Sequence, residues 1–214
     1  MTIDLPVTRR TALRTFALAS AAIDCAVAAA AEPAPTVDPP AGQLLIASEA
    51  IKDPRFFHSV ILLIGHDPKG AFGIAINRPL GERSLSELLA AAAGNPDERD
   101  SAVDGTVRVF VGGPVQRQFG FVVHSAEYRH PETRGIDGAL AMTANKQVLR
   151  DIGHRAGPAK YLFALGYAGW GAGQLESEIA RRDWFTAPAD LDLVFDVDRD
   201  AVWDRAMARR LRDL

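Results

Sequence analysis

The most distinctive candidate for chemistry is a glycine-rich segment at residues 165–185, LGYAGWGAGQLESEIARRDWF. A strand, a glycine-rich turn and a helix are predicted there in succession, and phosphate-binding loops use this arrangement to hold an anion on backbone amides. The spacing opposes that function, because GxGxxG and GKS or GKT motifs are absent and Glu176 and Glu178 bring negative charge to the helix start. We therefore predict that the glycines allow close backbone packing, that Trp170 fills an apolar pocket and that Gln174 is a polar contact.

A second candidate is Asn77-Arg78-Pro79, where a guanidinium stands beside an amide at the end of a predicted strand. This pair could recognise a carboxylate or a phosphate. The alternative is a structural role, since strand-end arginines are more often solvated or ion-paired. Serine-hydrolase chemistry is not predicted, because the chain has no GxSxG elbow and the neighbours His124 and Ser125 would face opposite sides of a strand.

The remaining residue types point to no metal, cofactor or catalytic residue. Cys25 is the single cysteine, so the chain can form neither an intramolecular disulfide nor a thiolate zinc site. The five histidines show no HExxH pair and no cluster with carboxylates. Strand ends and turns are where binding sites usually lie. On that basis the candidate ligand or partner surface comprises Asn77, Arg78, Gly112, Gly113, His124, Trp170, Gln174 and Glu176.

Composition and charge limit the class of protein. The chain has 214 residues, of which 48% are hydrophobic and 24% charged, so it can bury a full core. Its formal net charge of -3 gives no electrostatic reason to expect direct binding to nucleic acid or to anionic membranes.

The first 42 residues differ from the rest. Adjacent Arg9 and Arg10 precede an alanine-rich apolar stretch, so residues 1–31 are predicted to be an export signal of the twin-arginine type, with a disordered tail or an amphipathic helix as the alternative. Residues 32–42 are a proline-rich linker. Asp24 leaves too short an uncharged stretch for a stable membrane anchor. The predicted location is the periplasm if this leader functions, and otherwise the cytoplasm.

The elements that must position the candidates lie in residues 43–214, which we predict to be one domain. GQLLIAS indicates a first strand, and two β-rich runs around Asp67-Pro68-Lys69-Gly70 indicate a hairpin with a type I turn. Ser84 and Glu87 form a capping-box pattern ahead of a helix that ends at Gly94.

Further elements are predicted downstream. VRVFVGG and FGFVVHS are strands joined through Gly112-Gly113-Pro114 and expected to pair with each other. A helix lies in TANKQVLRDIGHRAG, AKYLFALGYA is a buried strand, and helices are expected at residues 174–182 and 198–214. Strands and helices do not alternate as βαβ units, which favours an α+β fold with a mixed, largely antiparallel sheet.

The order of several motifs resembles the AlgH/YqgE family. These are LLIAS, DPRFFHSVILLIGHDPKGAFGIAINRP, VFVGGPV, GFVVHS and LGYAGWGAGQLESEI followed by DWF, and together they extend the resemblance from Gly42 to the C-terminus. The resemblance implies a single compact domain whose mixed sheet curls into a barrel-like core with flanking helices. It also implies a transcriptional-regulator label associated with alginate production, with no agreed catalytic mechanism.

Three functions remain open at this point. The leading hypothesis is a non-enzymatic regulatory or binding protein with an unidentified protein or small-molecule partner. The first alternative is an enzyme that uses Glu176, Glu178, His124 or Arg78 for acid/base or electrostatic work. The second is a transcriptional regulator, although the acidic charge and the absence of a visible helix-turn-helix oppose direct DNA binding.

Overall fold

The computed structural model describes residues 39–94 and 103–211 of the chain. The strands are β1 (Gln43–Ala47), β2 (Val60–Asp67), β3 (Gly70–Ala75), β4 (Pro79–Ser84), β5 (Thr106–Val111), β6 (Val115–Ser125), β7 (Arg134–Gly135), β8 (Leu140–Thr143), β9 (Tyr161–Gly171) and β10 (Trp184–Pro188). The helices are α1 (Leu85–Ala93), α2 (Gln147–Gly153), α3 (Gln174–Ala180) and α4 (Val202–Ala208). A π-helical turn at Asp192–Asp196 and a 3-10 turn at Arg199–Ala201 connect β10 to α4. The predicted export signal and residues 32–38 of the predicted linker lie outside the described residues.

All ten described strands belong to one curled sheet. Its main path runs β10-β1-β2-β3-β9-β6-β8-β7, and every pair of neighbours along it is antiparallel. β5 adds a parallel pairing to β9, and β4 pairs antiparallel with β5. The sheet forms a half-barrel flanked by helices, which confirms the predicted α+β domain with a mixed, largely antiparallel sheet.

Both faces of the sheet are buried, which explains why its central strands are apolar at successive positions. Leu44 and Ile46 of β1 belong to a core inside the half-barrel that the C-terminal π-turn and α4 close. Leu45 and Ala47 point the other way and pack with residues of α3. Another outer layer joins α1 and α2 to β5, β6 and β9. A strand covered on both sides shows a continuous apolar run instead of alternation.

The predicted hairpin and the helix after it are confirmed, but the predicted cap is wrong. β2 and β3 pair up to Asp67 and Gly70, and the Asp67 carboxylate accepts a bond from Lys69 N at 2.7 Å within the turn. α1 ends at Gly94, whose φ of 77° is left-handed as expected. The Ser84 side chain caps no backbone amide, since Ser84 is also the last residue of β4 and its hydroxyl bonds with Ser86.

The expected pairing between β5 and β6 is also wrong. Both strands pair with β9, on opposite sides of it, so the chain must cross β9 within Gly112-Gly113-Pro114. A Cβ on Gly113 would lie 2.0 Å from the Tyr167 carbonyl carbon, and one on Gly112 would lie 2.3 Å from Gly166 O. Gly166 of β9 allows this close approach, because its φ of 71° turns the strand locally out of extended geometry. We call this contact the glycine crossing.

Helix predictions at residues 174–182 and in TANKQVLRDIGHRAG are confirmed as α3 and α2, whereas the C-terminal helix is shorter than expected. The strand at the start of the glycine-rich segment is longer than predicted, since β9 continues to Gly171 and only Ala172 and Gly173 separate it from α3. β4, β7, β8 and β10 were not predicted. No helix within the two described ranges is long and apolar enough to cross a membrane.

Candidate functional site

The Arg78 side chain forms hydrogen bonds to the loop between β1 and β2. Its guanidinium donates to Arg55 O, Pro54 O and the Ser59 hydroxyl, each at 3.0 Å, with a longer bond of 3.4 Å to Phe57 O. All of these acceptors are neutral, so none of these bonds pairs Arg78 with a carboxylate. We call residues 51–59 the clamped loop.

Asn77 holds the end of the clamped loop and its most strained residue. The amide accepts from Val60 N at 2.9 Å and donates to His58 O at 2.8 Å. His58 has a φ of 52°, which is unusual for a residue other than glycine. This backbone conformation lets the His58 ring stack between Phe57 and Trp203, with both centroid distances at 4.1 Å. The NRP and DPRFFH motifs therefore form one unit.

Three surface depressions adjoin the clamped loop. The stack depression, of about 520 Å³, contains the stacked rings together with Asn77, Arg78 and Arg199. The arginine depression, of about 500 Å³, is bounded by Arg55, Arg78 and Arg117. The indole depression, of about 300 Å³, is lined by Trp170, Trp184, Gln174 and Glu178. Neighbouring depressions share lining residues: Arg78 and Val111 belong to the first two, and Arg55 and Phe56 to the last two.

The arginine depression is positively charged and has an apolar floor. Arg55 pairs with Asp53 at 2.6 Å, and this hydrogen-bonded pair lowers the pKa of Asp53 to about 2. Arg117 is exposed and forms no hydrogen bond or ion pair with a residue in the described ranges. No carboxylate is among the lining residues, and Phe56, Ala75, Val111 and Pro114 supply the apolar floor. The glycine crossing places Gly113 and Pro114 at this wall.

The indole depression is organised around Glu178. Its carboxylate accepts the indole N–H groups of Trp170 and Trp184, both at 2.8 Å, and the amide of Gln174 at 2.8 Å. Gln174 also accepts from Gly171 N at 3.1 Å, which fastens the start of α3 to the end of β9. Trp170 is buried, as expected of a packing residue. Gln174 forms its hydrogen bonds with Gly171 and Glu178 of the same chain.

Glu176 lies outside the three depressions and pairs with His66. The distance from His66 Nε2 to Glu176 Oε1 is 2.8 Å, and His66 Nδ1 lies 3.1 Å from Pro39 O. Both of these ring contacts are to acceptor oxygens. Bonds from the Glu176 backbone N–H and from His66 hold the pKa of this carboxyl below its usual range.

His124 is a core residue. It is fully buried, and its ring nitrogens bond with Thr143 Oγ1 and Ser125 O, both at 2.9 Å. Burial lowers the pKa of His124 from its ordinary value of 6.5, so the neutral ring is favoured. Tyr128 covers one edge of the ring at 5.3 Å. No depression around the clamped loop includes His124.

The structure thus brings together part of the predicted surface. Asn77, Arg78 and Gly113 surround the clamped loop, with Trp170 and Gln174 in the adjoining indole depression, whereas Gly112 supports the glycine crossing from within. The sequence reasoning missed Arg55, Phe56, Phe57 and Trp203 as surface residues, and Arg117 as an unpaired charge. The charged and aromatic DPRFFH motif was the available signal, since aromatic residues are rare in a polar turn. Within residues 39–94 and 103–211, no group of three or more His, Cys, Asp or Glu side chains could hold a metal ion.

Comparison with known proteins gives a consistent set of relatives. The family model described as AlgH-like (DUF179) matches residues 44–213. A UPF0301 protein of Jannaschia sp. is 45% identical over 171 residues, which cover 78% of this chain and 85% of that protein. A UPF0301 protein of Afipia carboxidovorans is 43% identical over 174 residues, covering 78% of this chain and 82% of that one.

Two solved structures share the fold. The solution structure of the AlgH protein from Pseudomonas aeruginosa is similar with a TM-score of 0.69 and 37% identity, over 84% of this chain and 92% of that one. Protein DIP2367 from Corynebacterium diphtheriae matches with a TM-score of 0.61 over 81% of this chain and 88% of that one. At 23% identity this second likeness concerns the fold alone.

Proposed function

This chain belongs to the AlgH-like family, and we propose that it is a non-enzymatic regulatory protein that binds an acidic peptide segment of a partner protein at the arginine depression. The observation that supports this most is the net positive charge of that surface, where Arg55 pairs with Asp53 but neither Arg78 nor Arg117 bonds to a carboxylate among the described residues. Arg55, Arg78 and Arg117 bound an apolar floor that no carboxylate lines. Guanidinium groups bind carboxylates in paired, directional hydrogen bonds, so an acidic side chain is the matching group.

The elongated arrangement of the depressions favours a chain segment as the ligand. The three depressions follow one loop and share Arg78, Val111, Arg55 and Phe56 at their boundaries, so an extended ligand can contact more than one of them. An acidic side chain would meet the arginines while apolar neighbours contact Phe56 and Pro114. Buried aromatic and arginine contacts of this kind supply most of the affinity in protein interfaces.

The charge around this surface opposes nucleic acid as the partner. The adjoining indole depression is lined by the carboxylates of Asp53, Glu178 and Asp183, and the whole chain has a formal net charge of -3. A phosphate backbone requires an extended positive surface, whereas this one is positive only at its centre. Regulation, in this proposal, is a consequence of binding a protein.

An enzymatic role has no comparable support. Arg78 is bonded to the clamped loop, Glu178 to the two indoles, Glu176 to His66, and His124 lies in the core. These groups line no common depression in the described part of the chain, whereas acid/base catalysis needs them within hydrogen-bond reach of one substrate.

The proposed binding is tested with pairs of fluorescent peptides that differ only in glutamate or glutamine at one position. We expect acidic members with a neighbouring apolar residue to bind, and the matched glutamine peptides to bind about tenfold more weakly, because the charge-assisted hydrogen bonds are lost. Arg117→Gln should weaken binding of the acidic peptides by a similar factor. Arg129→Gln is the matched control, since Arg129 is exposed and lines none of the three depressions. Equal anisotropy curves for glutamate and glutamine peptides would contradict the proposal.

The compartment of the mature protein is part of the same proposal. The basic and alanine-rich residues 1–31 support export to the periplasm, and a protein located there would find its partners among envelope proteins. Cell fractionation with N-terminal sequencing of the mature protein tests this. A chain that retains residues 1–31 and stays in the cytoplasm would contradict export.

A further inference from the structure

A small cavity separate from the clamped loop lies where the C-terminal segment covers β5 and β9. It has a volume of about 280 Å³. Its walls come from one edge of the sheet and from the π-helical turn, with Phe110, Leu162, Val194 and Phe195 as the apolar part. Its charged lining residues are Arg108 and Arg199, and no carboxylate lines it. We infer that this cavity binds a small organic anion, a carboxylate with an apolar body, between Arg108 and Arg199.

Arg199 is the buried half of the proposed site. Only 7% of the residue is exposed, and its guanidinium donates to Val194 O and Val197 O at 2.8 Å, with a longer bond of 3.4 Å to Ile76 O. These are neutral carbonyl oxygens, so the charge is removed from water without a bonded counter-ion. Such a charge is costly to bury and favours an anion in the adjacent space.

Arg108 brings a second positive charge to the same cavity. It lies on β5, and its exposed side chain has no hydrogen bond or ion pair with a residue that the structure describes. Burial, followed by the repulsion from Arg108, lowers the pKa of Arg199 below its ordinary value. A carboxylate placed between the two guanidinium groups would relieve this repulsion and bond to both.

Neighbouring carboxylates are occupied or lie outside the cavity. Glu82 faces Arg108 across the β4–β5 pair and accepts from Thr106 Oγ1 at 3.2 Å. Asp196 pairs with Lys160, and Asp198 accepts from Asp200 N at 3.3 Å. Asp196 and Asp198 attract Arg199 only through space.

The arrangement of Arg199 also has a structural side, because its bonds satisfy carbonyl groups at the end of the π-helical turn. That role concerns Arg199 alone, and Arg108 faces Glu82 across the β4–β5 pair without forming an ion pair with a described residue. Among the lining residues, Tyr161 adds a hydroxyl group that can donate to an anion, whereas the Thr106 hydroxyl already donates to Glu82. The aromatic and aliphatic walls indicate that the bound molecule has an apolar body as well as a charge.

The inference is tested by titrating benzoate, benzamide and inorganic phosphate into the full chain, followed by amide NMR shifts and thermal unfolding. We expect benzoate to give saturable shifts at Thr106, Tyr161 and Phe195 and to raise the melting temperature. Benzamide has the same shape without the charge and should bind at least about tenfold more weakly. Phosphate has charge without the apolar body and should also bind more weakly.

The decisive variant is Arg108→Gln, which removes the exposed arginine and leaves the buried one to preserve the fold. It should weaken benzoate binding about tenfold. Arg83→Gln is the matched control, because Arg83 is an exposed arginine on the neighbouring strand β4 and lines none of these cavities. Non-saturable shifts, equal binding of benzamide or phosphate, or unchanged benzoate affinity in folded Arg108→Gln would overturn the inference. The peptide proposal concerns the arginine depression, which neither Arg108 nor Arg199 lines, so these outcomes leave that proposal standing.

Discussion

At the scale of single residues, the candidates divide into those that build the surface and those that face a ligand. Arg78 and Asn77 bond mainly to the clamped loop, and Gln174 bonds to Glu178 and Gly171. The Arg117 side chain makes no such bond with the described residues and is an exposed lining residue of the arginine depression. Replacing the first group should therefore alter stability, whereas replacing Arg117 should alter binding alone.

The first prediction separates these two roles of arginine. Arg78→Gln removes the donors that hold four positions of the clamped loop, so we expect a loss of about 2 kcal/mol in the free energy of unfolding. Arg117→Gln should leave that free energy within about 0.5 kcal/mol of the original protein. Urea denaturation measures both. Equal stability of the two variants would show that the hydrogen bonds of Arg78 to the clamped loop do not stabilise the fold.

The second prediction concerns acid sensitivity. Burial lowers the pKa of His124 from 6.5 in the folded chain, so the unfolded chain takes up this proton more readily, and stability falls as the pH drops below about 6.5. His124→Gln cannot titrate and should show a shallower loss of melting temperature between pH 6.5 and 5. The control is His154→Gln, because His154 is exposed. If the melting temperature of His124→Gln fell as steeply with pH as that of the original protein, groups other than His124 would determine the loss of stability in acid.

At the scale of elements, the glycine crossing determines which strands can pair. The sequence correctly predicts the β2–β3 hairpin, because the turn chemistry of Asp67-Pro68-Lys69-Gly70 is local. It does not predict that β9 separates β5 from β6, since this depends on contact between Gly113 and residues more than fifty positions away. Local patterns indicate that strands exist, whereas long-range backbone contacts decide their order.

The third prediction tests this crossing. Gly113→Ala places a Cβ against the backbone of Tyr167, which cannot move aside as a side chain would, so we expect a loss of at least about 3 kcal/mol or failure to fold. Gly138→Ala is the matched control, because a Cβ there meets nothing within 4 Å. Calorimetric melting of both variants is the measurement. Native-like melting of Gly113→Ala would show that the fold does not require close contact between the backbones of Gly113 and Tyr167.

At the scale of the whole molecule, both faces of the sheet are buried, so polar binding sites can form only at the loops and turns that connect the strands. The inner core and the two outer layers account for the long apolar runs, and the sequence predicted the α+β class from these runs together with the order of helices. The site was less predictable. Asn77 and Arg78 were found because they share a motif. Trp203 stacks on His58 of the clamped loop and Arg117 lines the adjoining arginine depression, and no local spacing reveals either position.

The most direct test of the account is a double-mutant cycle between Arg117 and the acidic residue of a bound peptide. Affinities are measured for both forms of the protein, original and Arg117→Gln, with both peptides, glutamate and glutamine. If the two groups bond directly, the second substitution should cost little once the first is made, and the coupling should be at least about 1 kcal/mol. Strictly additive losses would contradict the proposal that the arginine depression binds an acidic segment.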